Sequence, residues 1–312
     1  MQGKIAIVFP GQGAQYPGMG RELHDRYPAA QRIFAEADGI APISRLCFAG
    51  SEEELRQTVN TQPAVLTVDV AAYEVLHSSG IVPDFVAGHS LGEYAALVAA
   101  GVLSFKDALQ LVMVRSRLME EAVPQGLGGM AAVLGLGAEE VEEVCREASR
   151  EALVEPANFN CPGQVVIAGY LKGLQAAQAL AKARGAKRLI PLSVSGPFHS
   201  SLMEPAGRAL AEELAKFPFR EPTIPVVANV SAIPERDPEA IRRNLAQQVF
   251  RPVRWEESVR FLYEQGVRTF IEVGPGTVLI GLIKKTVKDA LLLHVEDEAS
   301  LTLTLQKLKE AG

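Results

Sequence analysis

The chain has 312 residues, 48% of them apolar and 22% charged, with a formal net charge of −6; this predicts roughly two domains around a substantial core and speaks against a nucleic-acid partner, whose binders carry a basic excess. The cysteines Cys47, Cys145 and Cys161 lie far apart and no HExxH occurs, so free thiols, a reducing cytoplasm and no metal site are expected. No secretory leader pattern opens the chain, and its longest apolar run, 95–103, falls short of the about 20 residues that span a bilayer, so no membrane partner is expected.

In chain order, KIAIVF (Lys4–Phe9) predicts a buried strand ending in the Gly-rich loop PGQGAQYPGMG. Helical patterns follow over 21–37 and 63–78, the second with Pro63 at its start and Gly80 past its end. Phe85–Ala87 predicts a short strand and 90–100 a helix; Ser104, with Asp107 three residues on, opens a helix over 104–122 as its cap.

Between the strand and the helix at 90–100 stands Gly88-His89-Ser90-Leu91-Gly92, the one GxSxG in the chain. Its setting is the strand–turn–helix of a nucleophile elbow. Glycines on both sides allow a sharp turn, and Ser90 comes to a helix N-terminus that favours negative charge. Locally the pattern fits a nucleophilic Ser90 and a helix-capping Ser90 equally well.

The helix at 104–122 carries an apolar stripe of Ala108, Leu111, Val112, Leu118, Met119 and Ala122, with Arg115 in its centre. A buried guanidinium requires an anionic partner. That partner is either an internal acid or a carboxylate brought by the substrate and gripped bidentately.

Residues 127–195 have a rhythm of their own. Strands are predicted at 130–135, 153–159, 164–170 and 187–193, and helices at 138–149 and 171–184. The order β-α-β-β-α-β is that of a ferredoxin-like unit, inserted into a larger α/β unit formed by 1–126 and 196–312. Beyond the insertion, strands at 224–230 and 268–273 alternate with helices, which predicts a mainly parallel sheet covered on both faces.

A nucleophilic serine needs a base. His199, in SGPFHSSLM, stands at a strand-to-helix junction, and in a parallel sheet such junctions gather at one edge. His24 and His77 sit on ordinary helical patterns, His89 has a role at most in orienting the turn, and His294 closes a strand-like run. Asp107 is the one aspartate between Ser90 and His199 and is already used as a cap. A Ser–His dyad with a carbonyl orienting the imidazole therefore fits better than a triad. FPGQG (Phe9–Gly13) and the amide of Leu91 would supply an oxyanion hole, each donor worth about 3–4 kcal/mol in the transition state. GLGGMA (126–131) leads into a strand and GPG (274–276) is followed by too little chain, so neither is a dinucleotide fingerprint, and no P-loop is present.

FPGQG, TQPA (61–64), GHSLGEYAAL, RSRLMEEAVP (115–124), NFNCPGQVVIAG (158–169), GPFHSSLM (196–203), QVFRPVRW (248–255) and EVGPGTVL (272–279) together resemble the malonyl-CoA:acyl carrier protein transacylases of fatty acid synthesis and the acyltransferase domains of polyketide synthases. The stretches come in the family's order and cover essentially the whole chain. The resemblance implies an α/β hydrolase-like large subdomain with a ferredoxin-like insertion, and a ping-pong transfer of malonyl from malonyl-CoA to acyl carrier protein, with no cofactor, in a cytoplasmic monomer. By position it implies Ser90 as nucleophile, His199 as base, Arg115 on the malonyl carboxylate, the amides of Gln12 and Leu91 as oxyanion hole, and the Gln248 carbonyl as the group orienting His199. Gln62 and Asn160 map near the acyl pocket, and Phe198 is similar to the residue of malonyl-selective members. Acyl carrier proteins are acidic, and Lys182, Arg184, Lys187 and Arg188 in the insertion are the basic residues expected to meet one. A serine hydrolase and a non-catalytic binding subunit are the rival readings.

Overall fold

The computed structural model describes residues 3–124 and 126–311. Strand β1 (Lys4–Phe9) is followed by helices α1 (Arg21–Arg26), α2 (Pro28–Asp38), α3 (Ile43–Ala49), α4 (Glu52–Arg56) and α5 (Thr58–Ser78). Then come β2 (Phe85–Gly88), α6 (Gly92–Ala99) and α7 (Phe105–Glu121). The middle of the chain forms β3 (Gly128–Leu134), α8 (Ala138–Ala148), β4 (Val154–Cys161), β5 (Gln164–Tyr170), α9 (Leu171–Ala183) and β6 (Arg188–Pro191). A short 3-10 turn (Ser201–Met203) leads to α10 (Glu204–Leu214), β7 (Val226–Val227), β8 (Pro234–Glu235), α11 (Pro238–Gln248), α12 (Trp255–Glu264), β9 (Val267–Val273), α13 (Val278–Thr286), β10 (Leu291–Val295) and α14 (Glu298–Ala311).

The larger sheet has the order β10-β9-β1-β2-β7-β8 and is parallel except for the β7–β8 pair. Alternation along β1 assigns its two faces. Ile7 and Phe9 join the core under α2, α5, α6 and α7, whereas Ala6 and Val8 join a second core with Trp255, Val259, Leu279 and Ile283 of α12 and α13. The predicted parallel sheet with two covered faces is thus observed. Its strand ends carry the loops after β1, β2, β7 and β9 to one edge.

The smaller sheet is antiparallel, in the order β4-β5-β3-β6, with α8 and α9 on one face. That is the ferredoxin-like order predicted for the middle segment. Ala131, Val133, Val165 and Ile167 face those helices; Met130, Ala132, Val166 and Ala168 point the other way and merge with the core of the larger unit. The outward-facing half of each strand therefore becomes a wall of whatever lies between the two sheets.

Several element limits differ from the periodicity. The helix expected over 21–37 is broken at Tyr27, whose φ of −117° and ψ of 117° are extended; Pro28 disfavours the helical conformation at the residue before it. The helix expected from Pro63 begins at Thr58, with Pro63 inside it. Thr61 ties that extra turn down through its hydroxyl to the carbonyls of Leu55 and Gln57. The strand expected over 224–230 pairs only at Val226 and Val227, because the chain leaves the sheet at Ala228 and turns through Ala232, at φ 57°. His294 lies within β10 rather than at its end. Ser104 caps α7 as expected, its hydroxyl accepting from the Asp107 amide at 3.1 Å.

Candidate active site

Ser90 sits between β2 and α6 at φ 52°, a left-handed conformation that a serine adopts only when its surroundings impose it. The imposing contacts are visible. A Cβ on Gly92 would lie 2.1 Å from the Phe9 carbonyl oxygen, and one on Gly88 would lie 1.9 Å from the Gly92 carbonyl carbon; only glycine lets the elbow close on itself and on β1. From β7, Asn229 clamps the turn: its Oδ1 accepts the Ser90 amide at 2.7 Å and its Nδ2 donates to the Gly88 carbonyl at 2.6 Å.

His199 lies ahead of the 3-10 turn, also left-handed at φ 62° and 4% exposed. Its Nδ1 donates to the Gln248 carbonyl at 2.6 Å, and Ser90 Oγ lies 2.8 Å from its Nε2. With the Nδ1 hydrogen committed to a carbonyl, Nε2 is the unprotonated nitrogen and accepts the serine hydroxyl proton. Burial, and then the Arg115 charge, pull the imidazole down from its ordinary 6.5 to about 3, so it stands as a neutral base. No carboxylate among the described residues touches it; the orienting group is the main-chain oxygen at the end of α11, as the missing third acid suggested.

Arg115 is wholly buried on α7, at the place the stripe indicated. Three neutral oxygens hold it: Nη1 donates to Gln62 Oε1 at 2.7 Å, and Nη2 donates to Gln248 Oε1 at 2.8 Å and to Ser90 Oγ at 3.0 Å. Its Nε has no partner among the described residues. Burial lowers the guanidinium pKa, with Tyr94 and Glu93 acting in the opposite direction. Of the two partners open at the sequence level, an internal acid in contact is not observed. The cation meets the same oxygen as the imidazole.

A cavity of about 190 Å³ opens on Ser90 and His199 and lies between the loops after β1 and β2 and strands β3, β4 and β5 of the smaller sheet. Gln12, Gln62, Asn160 and Phe198 line it with His89. His89 does more than shape the turn: its Nε2 pairs with Asn160 Oδ1 at 2.9 Å and joins the elbow to β4, while its ring meets Trp255 edge-on. Gln12 reaches Thr58 Oγ1 at 3.3 Å and Gln62 at 3.5 Å through its side chain. The amides of Gln12 and Leu91 have no protein acceptor among the described residues. The loops that carry them abut, since a Cβ on Gly11 would stand 2.4 Å from the His89 carbonyl and 3.7 Å from the Leu91 amide. Leu91, Gln248 and Arg115 are fully buried beside the lining residues Ser90 and His199.

The sequence reading passed over Glu93 and Asn229, both buried and both bonded into this network. Each carries the signal that singled out Arg115: a polar residue inside an apolar run, GEYAAL in one case and VVANV in the other.

The model of the acyl transferase domain matches residues 6–309. A malonyl CoA-acyl carrier protein transacylase of Bacillus subtilis is 51% identical over 310 residues, covering 98% of each chain, and one of Escherichia coli is 46% identical over 306 residues, covering 97% of this chain and 99% of the relative. Among solved structures, an acyl carrier protein S-malonyltransferase of Vibrio cholerae superposes with a TM-score of 0.94 at 46% identity, over 96% of this chain and 99% of that one. A malonyl-transacylase solved in complex with a type II PKS acyl-carrier protein gives 0.95 at 46% identity, over 97% and 99%. With its elbow serine, its buried imidazole and a match spanning both sheets, the chain belongs to the acyl transferase family and is an acyltransferase.

Proposed function

We propose that the protein transfers malonyl groups from malonyl-CoA to the phosphopantetheine thiol of an acyl carrier protein through a malonyl-Ser90 ester, supplying fatty acid synthesis. The observation that carries this reading is Ser90 Oγ held between His199 Nε2 at 2.8 Å and Arg115 Nη2 at 3.0 Å, with no acid among the described residues in contact with the guanidinium. His199 takes the hydroxyl proton as Ser90 Oγ attacks the thioester carbonyl. The tetrahedral oxyanion is received by the amides of Gln12 and Leu91. The C–S bond breaks, and the CoA sulfur leaves with the proton from His199. Carrier thiol then gives its proton to His199, its sulfur attacks the ester, and Ser90 is regenerated with that proton.

Arg115 has a defined task in this sequence. Once Ser90 is an ester its Oγ is a poor acceptor, and the Nη2 hydrogen turns to the malonyl carboxylate, with the Gln62 and Gln248 side chains keeping the fork in place. Gln248 thus serves twice, by its carbonyl on His199 and by its side chain on Arg115. Phe198 and Asn160 shape the acyl end of the cavity. We assign residues 127–195 as the small subdomain and 1–126 with 196–312 as the catalytic one, because each sheet draws its strands from one of these segments alone. Among the described residues no helix is long and apolar enough to cross a membrane, which fits a cytoplasmic enzyme. For the carrier, Lys182, Lys187 and Arg188 are the better contacts in the insertion, as Arg184 is engaged with Glu147 at 2.7 Å.

Intact-mass measurement after malonyl-CoA tests the proposal. The expected result is one malonyl adduct on wild type, none on Ser90→Ala, and discharge of the adduct by holo carrier protein. Release of free malonate in the absence of carrier, at a rate matching turnover, would instead identify a hydrolase.

A further inference from the structure

Glu93 is a buried acid, 3% exposed, that the steps above do not use. It stands at the start of α6, and its Oε2 accepts Gln248 Nε2 at 2.7 Å and the Asn229 amide at 3.3 Å. The second hydrogen of Gln248 Nε2 goes to the Ser90 carbonyl at 2.8 Å. Both donors of the amide are thereby spent, and its oxygen is left for Arg115 Nη2 at 2.8 Å. A turned amide would set oxygen against two acceptors and NH2 against a cation.

We infer that Glu93 is a positioning residue for acyl-group selectivity: through the Gln248 amide it holds the Arg115 guanidinium against the nucleophile without pairing with it. A carboxylate in contact would neutralise the cation and compete with an anionic acyl group. One amide away, the same carboxylate offsets the burial of the charge and still leaves the guanidinium free to bind. Burial raises the Glu93 carboxyl to about 7, against the pull of Gln248, Asn229 and Arg115. The inference rests on the reading of Arg115 as the carboxylate-binding group.

The test is quenched-flow acylation of Ser90 with malonyl-CoA and with acetyl-CoA, read by intact mass, in Glu93→Gln, Arg115→Ala and the double variant. Glu93→Gln weakens one of the contacts that fix the Gln248 amide and removes the charge that offsets Arg115, so malonyl acylation should fall about tenfold or more while acetyl acylation changes less than about threefold. In the Arg115→Ala background the same substitution should cost malonyl acylation less than about twofold, because the two act through one contact. Equal losses on both acyl groups in Glu93→Gln, or an undiminished loss in the Arg115→Ala background, overturns the inference. If Arg115→Ala alone loses both substrates equally, the reading of Arg115 fails and the inference with it; a selective Arg115→Ala beside an unselective Glu93→Gln overturns the inference alone. Should Glu93→Gln lack a cooperative unfolding transition, Gln248→Met, which keeps the carbonyl to His199 and removes the amide, must give the same selective loss, and an equal loss on both substrates overturns the inference.

Discussion

A single oxygen, Ser90 Oγ, is met by side chains from two distant stretches of the chain, and each of these neighbours predicts a measurable effect. His199 is neutral because it is buried beside a cation, its pKa lowered to about 3. Between that value and the ordinary 6.5 the unfolded chain binds a proton that the folded one refuses, so stability falls as pH falls through this window. Comparing denaturation midpoints of wild type and His199→Gln from pH 6.5 downward should show a steeper decline in wild type, by up to about 1.4 kcal/mol per pH unit. Arg115 is a three-acceptor fork rather than a point charge. Arg115→Lys keeps the charge but loses the fork, and malonyl acylation should drop about 10- to 100-fold, as expected for one or two hydrogen bonds to a charged group; unchanged kcat/KM would show that charge alone suffices. Arg115 was legible because it breaks an apolar stripe, Ser90 because it completes a GxSxG between a strand and a helix, and His199 because it stands at a strand-to-helix junction. Glu93 breaks one too, but only the Gln248 amide lying against it reveals what it does.

The elbow is the element on which the chemistry depends. Its tightness follows from short-range sequence, the glycines around Ser90, but its strain is held by Asn229, in the loop after β7 far along the chain. Gly92→Ala would drive a methyl to 2.1 Å from a backbone oxygen of β1; since backbone must move, the variant should lose several kcal/mol, at the level of about 3 kcal/mol or more seen for severe overpacking, in urea unfolding, along with the Ser90 adduct. Asn229→Ala removes both hydrogen bonds of the clamp and leaves two buried backbone groups short of partners. A loss of about 1–3 kcal/mol per group is expected, with slower acylation; a stable variant with undiminished acylation would show that the turn holds its own conformation. The helices show where periodicity misleads. It read 21–37 as continuous because apolar spacing carries across Tyr27, whereas Pro28 acts on the backbone, to which spacing is blind.

At the scale of the whole molecule the cavity exists because the loops at one edge of the parallel sheet meet strands β3, β4 and β5 of the antiparallel one. The His89–Asn160 bond ties elbow to insertion at 2.9 Å. Asn160→Ala should loosen that closure and admit water, so free malonate should appear faster from the malonyl-enzyme while acylation is less affected; a chromatographic time course without carrier protein measures both. By itself the sequence predicted two units, the ferredoxin-like order of the middle one, the elbow, a histidine with no acid partner and the misplaced cation, because strand alternation, helical spacing and turn glycines are properties of neighbouring residues. Only the tertiary structure decided what the cation touches, why Ser90 stays strained and which way the Gln248 amide points. Those depend on contacts such as Glu93 with Gln248, 155 residues apart, and a contact of that span follows from the order of strands in the sheet, which no local pattern encodes.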